Sequence, residues 1–250
     1  MARALAWLWI ALGAAAIAHA GVIVAPGDLV VGQGAGDAIL RVDPVSGAQT
    51  KIGGNGALWP TYDVAVDQQG PVYALFGDTI VRIQPQIYDD AQPLANQTPV
   101  WTANPNGTDC AFATGFALAG DGTLYAACGV GPAGGLGVGV VHIDPSAYAA
   151  GTPGSNHVLV SKSRADTDGP PADVAIDPNL GLLYTVSGSG LVEQIDPGGD
   201  PAANATRVGA LGVFATWTSI AEEPGRRLVA TQWNQTGTDV VRVDPSASTQ

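Results

Sequence analysis

An all-β repeat fold is what this sequence predicts, and three observations predict it. One short pattern that ends in proline recurs five times, helical periodicity is absent beyond the first twenty residues, and 34 Gly with 18 Pro supply turns throughout. The units that result are expected to be about five, with four short strands each.

The chain opens on a different kind of segment. Arg3 precedes an apolar run from Ala4 to Ala18, and Ala18-His19-Ala20 stands just before Gly21. Charge, greasy core and small-x-small site are the order of a secretory signal peptide, so residues 1–20 are expected to be cleaved after Ala20. A membrane anchor is the other reading, but the run is shorter than the roughly 20 residues that cross a bilayer. Gly21 rather than Cys follows the cut, which argues against a lipoprotein, and no later apolar stretch is long enough to span. The mature chain is therefore expected to be secreted or periplasmic, as one domain over residues 21–250 and as a monomer.

Charge narrows the partners. Loss of Arg3 with the leader takes the net charge from −12 to −13. Such a surface repels phosphate backbones and anionic lipid, which excludes nucleic acid as a sensible partner. Solubility accounts for the balance, with calcium or a cationic partner as the alternative. The two cysteines, Cys110 and Cys128, flank one expected hairpin. Export favours a disulfide between them, worth about 3 kcal/mol, over a pair of buried thiols.

The repeat itself reads apolar, polar, Val or Ile, acid or amide, Pro. It stands as Leu40-Arg41-Val42-Asp43-Pro44, Val81-Arg82-Ile83-Gln84-Pro85, Val141-His142-Ile143-Asp144-Pro145, Glu193-Gln194-Ile195-Asp196-Pro197 and Val241-Arg242-Val243-Asp244-Pro245, with prolines 41, 60, 52 and 48 residues apart. β-Branched residues alternate with polar ones as in a half-buried strand, the acid offers its carboxylate to nearby backbone donors, and proline, lacking an N–H, ends the ladder.

A second motif precedes it in most copies. Asp63-Val64-Ala65-Val66-Asp67 leads through Gly70 to Val72-Tyr73-Ala74-Leu75, and its counterparts begin at Gly115, Asp173 and Ser219. Each reads as two strands joined by a Gly-containing hairpin. The small Ala in the first strand suits the crowded innermost position. A fourth β-rich stretch follows each proline turn, as in Thr50-Lys51-Ile52 and Val158-Leu159-Val160. Four strands per unit of about 40 to 50 residues is the arithmetic of a β-propeller blade. Five four-stranded blades are expected, with part of a six- or seven-bladed propeller as the alternative. Gly21-Val22-Ile23-Val24 is expected to add the outer strand that the last unit lacks.

These motifs resemble the blades of secreted bacterial propellers of the NHL-like and virginiamycin-lyase-like group, in which a strand ending Val-Asp-Pro and a Gly turn before a Leu-Tyr pair recur. The resemblance spans nearly all of residues 21–250 and implies fold more than function, since members bind proteins, sugars, metals or small molecules and some are enzymes. The lyases are similar in using histidine and glutamate beside magnesium. Here His142 fills the polar slot of Arg41, Arg82, Gln194 and Arg242, and His157 stands in a Gly-Thr-Pro-Gly-Ser-Asn loop, which departs from that pattern.

Ligands of propellers meet the axial mouth, where the inner strands begin. Asp63 and Asp173 at equivalent positions could share a hard cation such as Ca²⁺, or could each cap the incoming loop. Asp166-Thr167-Asp168-Gly169 before Asp173 has the acid-x-acid-Gly spacing of part of a calcium loop, without its leading acid or distal Glu. Ser219 occupies the same slot in the last unit. Trp59 and Trp217 precede inner strands, where they either line the mouth or seal the gap between blades. Glu193 breaks an apolar slot and is expected at an exposed strand end. Asn96, Asn106, Asn204 and Asn234 begin Asn-x-Thr triplets in expected loops. No phosphate loop, Ser-His-Asp order, Cys/His cluster or nucleophile elbow occurs. The functional expectation is a binding or structural module for a protein, glycan or small molecule, not an enzyme; the alternative is a metal-dependent lactonase or lyase using Asp63 and Asp173.

Overall fold

The computed structural model describes residues 23–33, 38–54, 61–105, 109–129, 139–162, 169–210, 218–223, 227–234 and 237–245. They form five antiparallel sheets. The first holds β1 (Leu29–Gly32), β2 (Ile39–Val42) and β3 (Gln49–Gly53). The second holds β4 (Thr61–Val66), β5 (Val72–Phe76), β6 (Thr79–Ile83) and β7 (Gln97–Thr102). The third holds β8 (Phe112–Leu118), β9 (Leu124–Gly129), β10 (Gly139–Ile143) and β11 (His157–Lys162). The fourth holds β12 (Pro171–Asp177), β13 (Leu182–Ser187), β14 (Leu191–Ile195) and β15 (Ala205–Ala210). The fifth holds β16 (Thr218–Glu223), β17 (Arg227–Asn234) and β18 (Gly237–Val243).

This is a β-propeller of five blades. Each sheet is a meander, and the first strands β4, β8, β12 and β16 stand side by side around the axis. Among the described residues the first and last blades have three strands. The strands β2, β6, β10, β14 and β18 end on the predicted Val or Ile before the turn. Asp43, Asp144 and Asp196 then each accept a backbone N–H two residues on, at 2.8 to 3.0 Å. The hairpins between first and second strands turn at glycines with positive φ, such as Gly70 at 98° and Gly122 at 88°, where any side chain would be strained.

Both faces of each middle blade are buried, which is why β5 reads as an unbroken apolar run. Val72, Ala74 and Phe76 join Ile39 and Ile52 in the core between blades one and two. Tyr73 and Leu75, on the opposite face, join Trp101, Phe116 and Leu124 in the next core. Strand period two thus feeds two interfaces at once. Two further cores fill the gaps between blades three and four and between four and five.

The opening segment behaves differently from expectation. Ile23 and Val24 lie in no strand, and Val24 packs against the core between blades one and two. A tight turn explains it: the Ala25 N–H donates to Asp28 at 2.6 Å, and Arg41 of β2 clasps the same carboxylate, so the segment is tied to blade one. Gly21 and Val22 lie outside the described residues.

The disulfide is present. Cys110 and Cys128 are bonded with Cα atoms 5.1 Å apart, joining the entry of β8 to β9 inside the third blade. Among the described residues no helix is long and apolar enough to cross a membrane.

Candidate functional site

Three inner strands begin with the same irregularity. The register between first and second strand skips one residue between Thr61 and Asp63, between Ala113 and Gly115, and between Pro171 and Asp173. Each skip is a β-bulge, which re-aims the side chains around it. The bulged residues are Tyr62, Thr114 and Ala172, and all three face one cavity of about 410 Å³ at the axial mouth.

The residue after each bulge points at the neighbouring blade. Asp63 accepts the Phe116 N–H of blade three on Oδ2 at 2.7 Å and its own following N–H, from Val64, on Oδ1 at 2.7 Å. Asp173 accepts the Ser219 hydroxyl at 2.6 Å and the Ile220 N–H at 2.9 Å, both from blade five, on Oδ2, and the Val174 N–H on Oδ1 at 2.8 Å. These carboxylates therefore bind strands of the next blade, not the loops that feed their own. In blade three the equivalent residue is Gly115, and the space a side chain would fill there holds Asp173 Oδ1, 2.1 Å from an ideal Cβ. Both carboxylates thus meet at the Gly115–Phe116 peptide.

Burial and mutual charge shape their ionisation. Asp173 is buried and Asp63 half-buried. Desolvation first, and then the Asp173 charge, push Asp63 up to about 7 against the pull of its two N–H donors. Desolvation likewise raises Asp173 to about 6, opposed by Ser219, Ile220 and Val174. Two desolvated carboxyls at one peptide resist double ionisation, so near neutrality the pair retains a proton.

Apolar surface makes up the flanks. Tyr62 and Phe112 meet edge to face with centroids 5.7 Å apart, and Pro170 and Pro171 stand opposite them. Thr114 Oγ1 lies 2.9 Å from the Pro171 carbonyl, bridging blades three and four beneath this wall.

Of the residues singled out from sequence, Asp63, Asp173 and Ser219 come together on this cavity. Trp59, Trp217, Asp166 and Asp168 lie outside the described residues. Sequence reasoning missed Tyr62, Phe112, Thr114, Pro171 and Ala172, whose only signal is their place just before the inner-strand motif. His142 and His157 lie elsewhere: His142 meets Tyr125 edge to face at 5.2 Å, and His157, the first residue of β11 and not a loop residue, accepts the Trp101 Nε1–H at 3.0 Å. Trp101, fully buried between blades two and three, is the aromatic that seals a blade gap. Glu193 is half-buried in β14 opposite Arg207, not at an exposed end. At the opposite mouth Val66, Leu118 and Ile176 share a smaller cavity of about 240 Å³ with Glu222.

The fold has many likenesses among solved structures. A chain of the nidogen/laminin complex superposes with a TM-score of 0.61 at 16% identity, over 89% of this chain and 78% of that one. Streptogramin B lyase superposes with 0.57 at 10% identity, over 92% and 70%. Mala s 1, the major allergen of Malassezia sympodialis, gives 0.53 at 12%, over 89% and 77%. The likeness is one of fold. No family model matches the chain, and no curated protein matches its sequence.

Proposed function

We propose that this protein is an extracytoplasmic binding propeller that takes a small ligand into its axial cavity. One observation carries the reading: Asp63, Asp173 and Ser219, from three different blades, converge on a single space whose volume and largely apolar flanks are those of small-molecule sites. Export through cleavage of residues 1–20 belongs to the same reading. The Cys110–Cys128 disulfide supports it, since such bonds persist in oxidising compartments.

A binding test follows from Ala172, which lines the cavity. Saturation-transfer NMR with a soluble fragment library is expected to give hits on the wild-type chain that disappear in Ala172→Trp, where the indole fills the space. A hit list unchanged by that substitution would show that ligands bind elsewhere.

An enzymatic reading has one observation in its favour, that two carboxyls titrating near neutrality suit acid–base work. Against it, neither His142 nor His157 lines the cavity. Turnover of any member of a lactone panel, lost on chelation, would move the assignment to a metal-assisted enzyme.

A further inference from the structure

We infer that the axial cavity selects a cationic organic ligand, a protonated amine carried on an aromatic body; this rests on the cavity being the ligand site. Charge is the first reason. Asp63 and Asp173 lie at one peptide, yet no Lys, Arg or His stands among the described residues that line the cavity. Ion pairs between described residues join Arg41 to Asp28, Lys51 to Asp90 and Arg242 to Glu223, none of which lines it. Desolvated carboxyls that face no cation among the described lining residues keep a proton or take a cation from outside.

Shape and donor geometry separate an amine from a bare ion. The cavity is far larger than one ion needs, and the Tyr62–Phe112 corner offers aromatic surface that attracts an ammonium and packs an aromatic ring. Each of the four carboxylate oxygens already accepts a protein N–H or hydroxyl. Asp173 Oδ2 accepts two, so one lone pair remains on each Asp63 oxygen and on Asp173 Oδ1, which suits the three donors of an ammonium better than the 6 to 8 oxygens that calcium collects. Among the described residues no group of three or more His, Cys, Asp or Glu is placed to hold a metal ion.

Gly115 is the positioning residue. Its missing side chain leaves the space into which the Asp173 carboxylate turns, so the acidic pair exists only because the repeat is broken at that slot. Among the described residues the titratable groups facing the cavity are Asp63, Asp173 and Tyr62, while β8, β16 and β17 present the uncharged Phe112, Thr114, Ser219 and Thr231. An ammonium that displaces the retained proton must bind more tightly as the pH rises.

Isothermal titration of the mature chain with four probes tests this: 2-phenylethylamine, its neutral counterpart 2-phenylethanol, its anionic counterpart 3-phenylpropionate, and CaCl₂. At pH 8 the amine is expected to bind at least tenfold more tightly than the alcohol, with the propionate weaker still. Its affinity should fall at least fivefold at pH 5, and the amine-to-alcohol ratio should drop below threefold in Asp63→Asn/Asp173→Asn, whose thermal melt confirms folding. Equal or tighter binding of the alcohol or the propionate overturns the cationic preference while leaving the cavity as a ligand site. Calcium that binds and expels the amine, or an amine that does not bind at all, overturns it too. The fragment screen with Ala172→Trp decides separately whether the cavity binds anything.

Discussion

The outer rim and the axial mouth perform the same mechanical task with different chemistry. At the rim, Asn96 donates its amide N–H groups to the Ile52 and Gln84 carbonyls, each at 3.0 Å. Asn156 does the same to Val100 and Asp144 at 2.9 and 2.7 Å, and Asn204 to Val160 and Asp196 at 2.8 Å each. In every case one carbonyl belongs to the preceding blade, at the residue its outer strand bulges around. The clamp is neutral, and the same residue makes it three times. At the axis the corresponding slot reads Asp63, Gly115, Asp173 and Ser219, and the bonds between blades are made by carboxylates that desolvation and mutual charge oppose. A neutral acceptor would join the strands as well. The rim shows what adhesion alone requires, and the axis carries charge beyond that requirement.

The comparison breaks first at the rim, where the largest effect is expected. Asn156→Ala removes two hydrogen bonds and takes the side-chain donor from the buried Val100 carbonyl, while the half-buried Asp144 carbonyl keeps the Ala147 N–H. An orphaned buried group costs about 1–3 kcal/mol and the second lost hydrogen bond about 1, so urea denaturation should show a loss of about 3 kcal/mol. A loss below about 0.5 kcal/mol, the range of ordinary surface substitutions, would mean that the blades are held by apolar packing alone.

Gly115→Ala should cost less, about 1–3 kcal/mol, as overpacking usually does. Its Cβ would collide with Asp173 Oδ1. Because the obstacle is that carboxylate, adding Gly115→Ala to Asp173→Ser should cost little beyond Asp173→Ser alone, which itself bears the loss of the acceptor taken from Ser219 and Ile220. A second substitution that simply adds its own cost would show that the axis rejects a methyl group for some reason other than Asp173.

The period of the Asp-Pro turns made the blades legible in the sequence, and repeat alignment placed Asp63, Asp173 and Ser219 in one slot, because propeller symmetry turns equivalent positions into neighbours. What escaped was set by backbone detail. A bulge is one extra residue with no composition of its own, so Tyr62, Thr114 and Ala172 carried no mark of facing the axis. The rim clamp was hidden by a competing pattern: Asn96 and Asn204 begin Asn-x-Thr triplets and were expected in loops. They do stand outside the strands, one residue ahead of β7 and β15, and their amide nitrogens are engaged there. Their spacing of 12, 12 and 8 residues after Gln84, Asp144 and Asp196 was the available signal.

The smallest effect sharpens the comparison most, because it concerns charge alone. A carboxyl whose folded-state pKa lies above its unfolded value of about 3.9 holds its proton longer in the native state. Stability therefore falls as pH rises from about 4 to 7, the folded value of Asp63, and stays at its lower level above that. The lowered carboxyls, Asp28, Asp43, Asp121 and Asp144, lose their contribution only in more acidic solution. His157, held low by burial, works in the opposite sense up to its unfolded value of about 6.5. Subtracting the curve of Asp63→Asn isolates the acidic pair, since Asn keeps an acceptor for Phe116 and removes the charge. Asp63→Asn is expected to be more stable than the wild type at pH 8 by about 1–2 kcal/mol, less than the roughly 4 that three pKa units at about 1.4 kcal/mol each would give, because its single acceptor leaves the Val64 N–H unserved, and to lose that advantage by pH 4. Denaturation midpoints measured across that range decide it. If the variant is weaker at every pH, the Asp63 carboxylate is a structural bond like the rim amides, and the difference drawn between the two regions disappears.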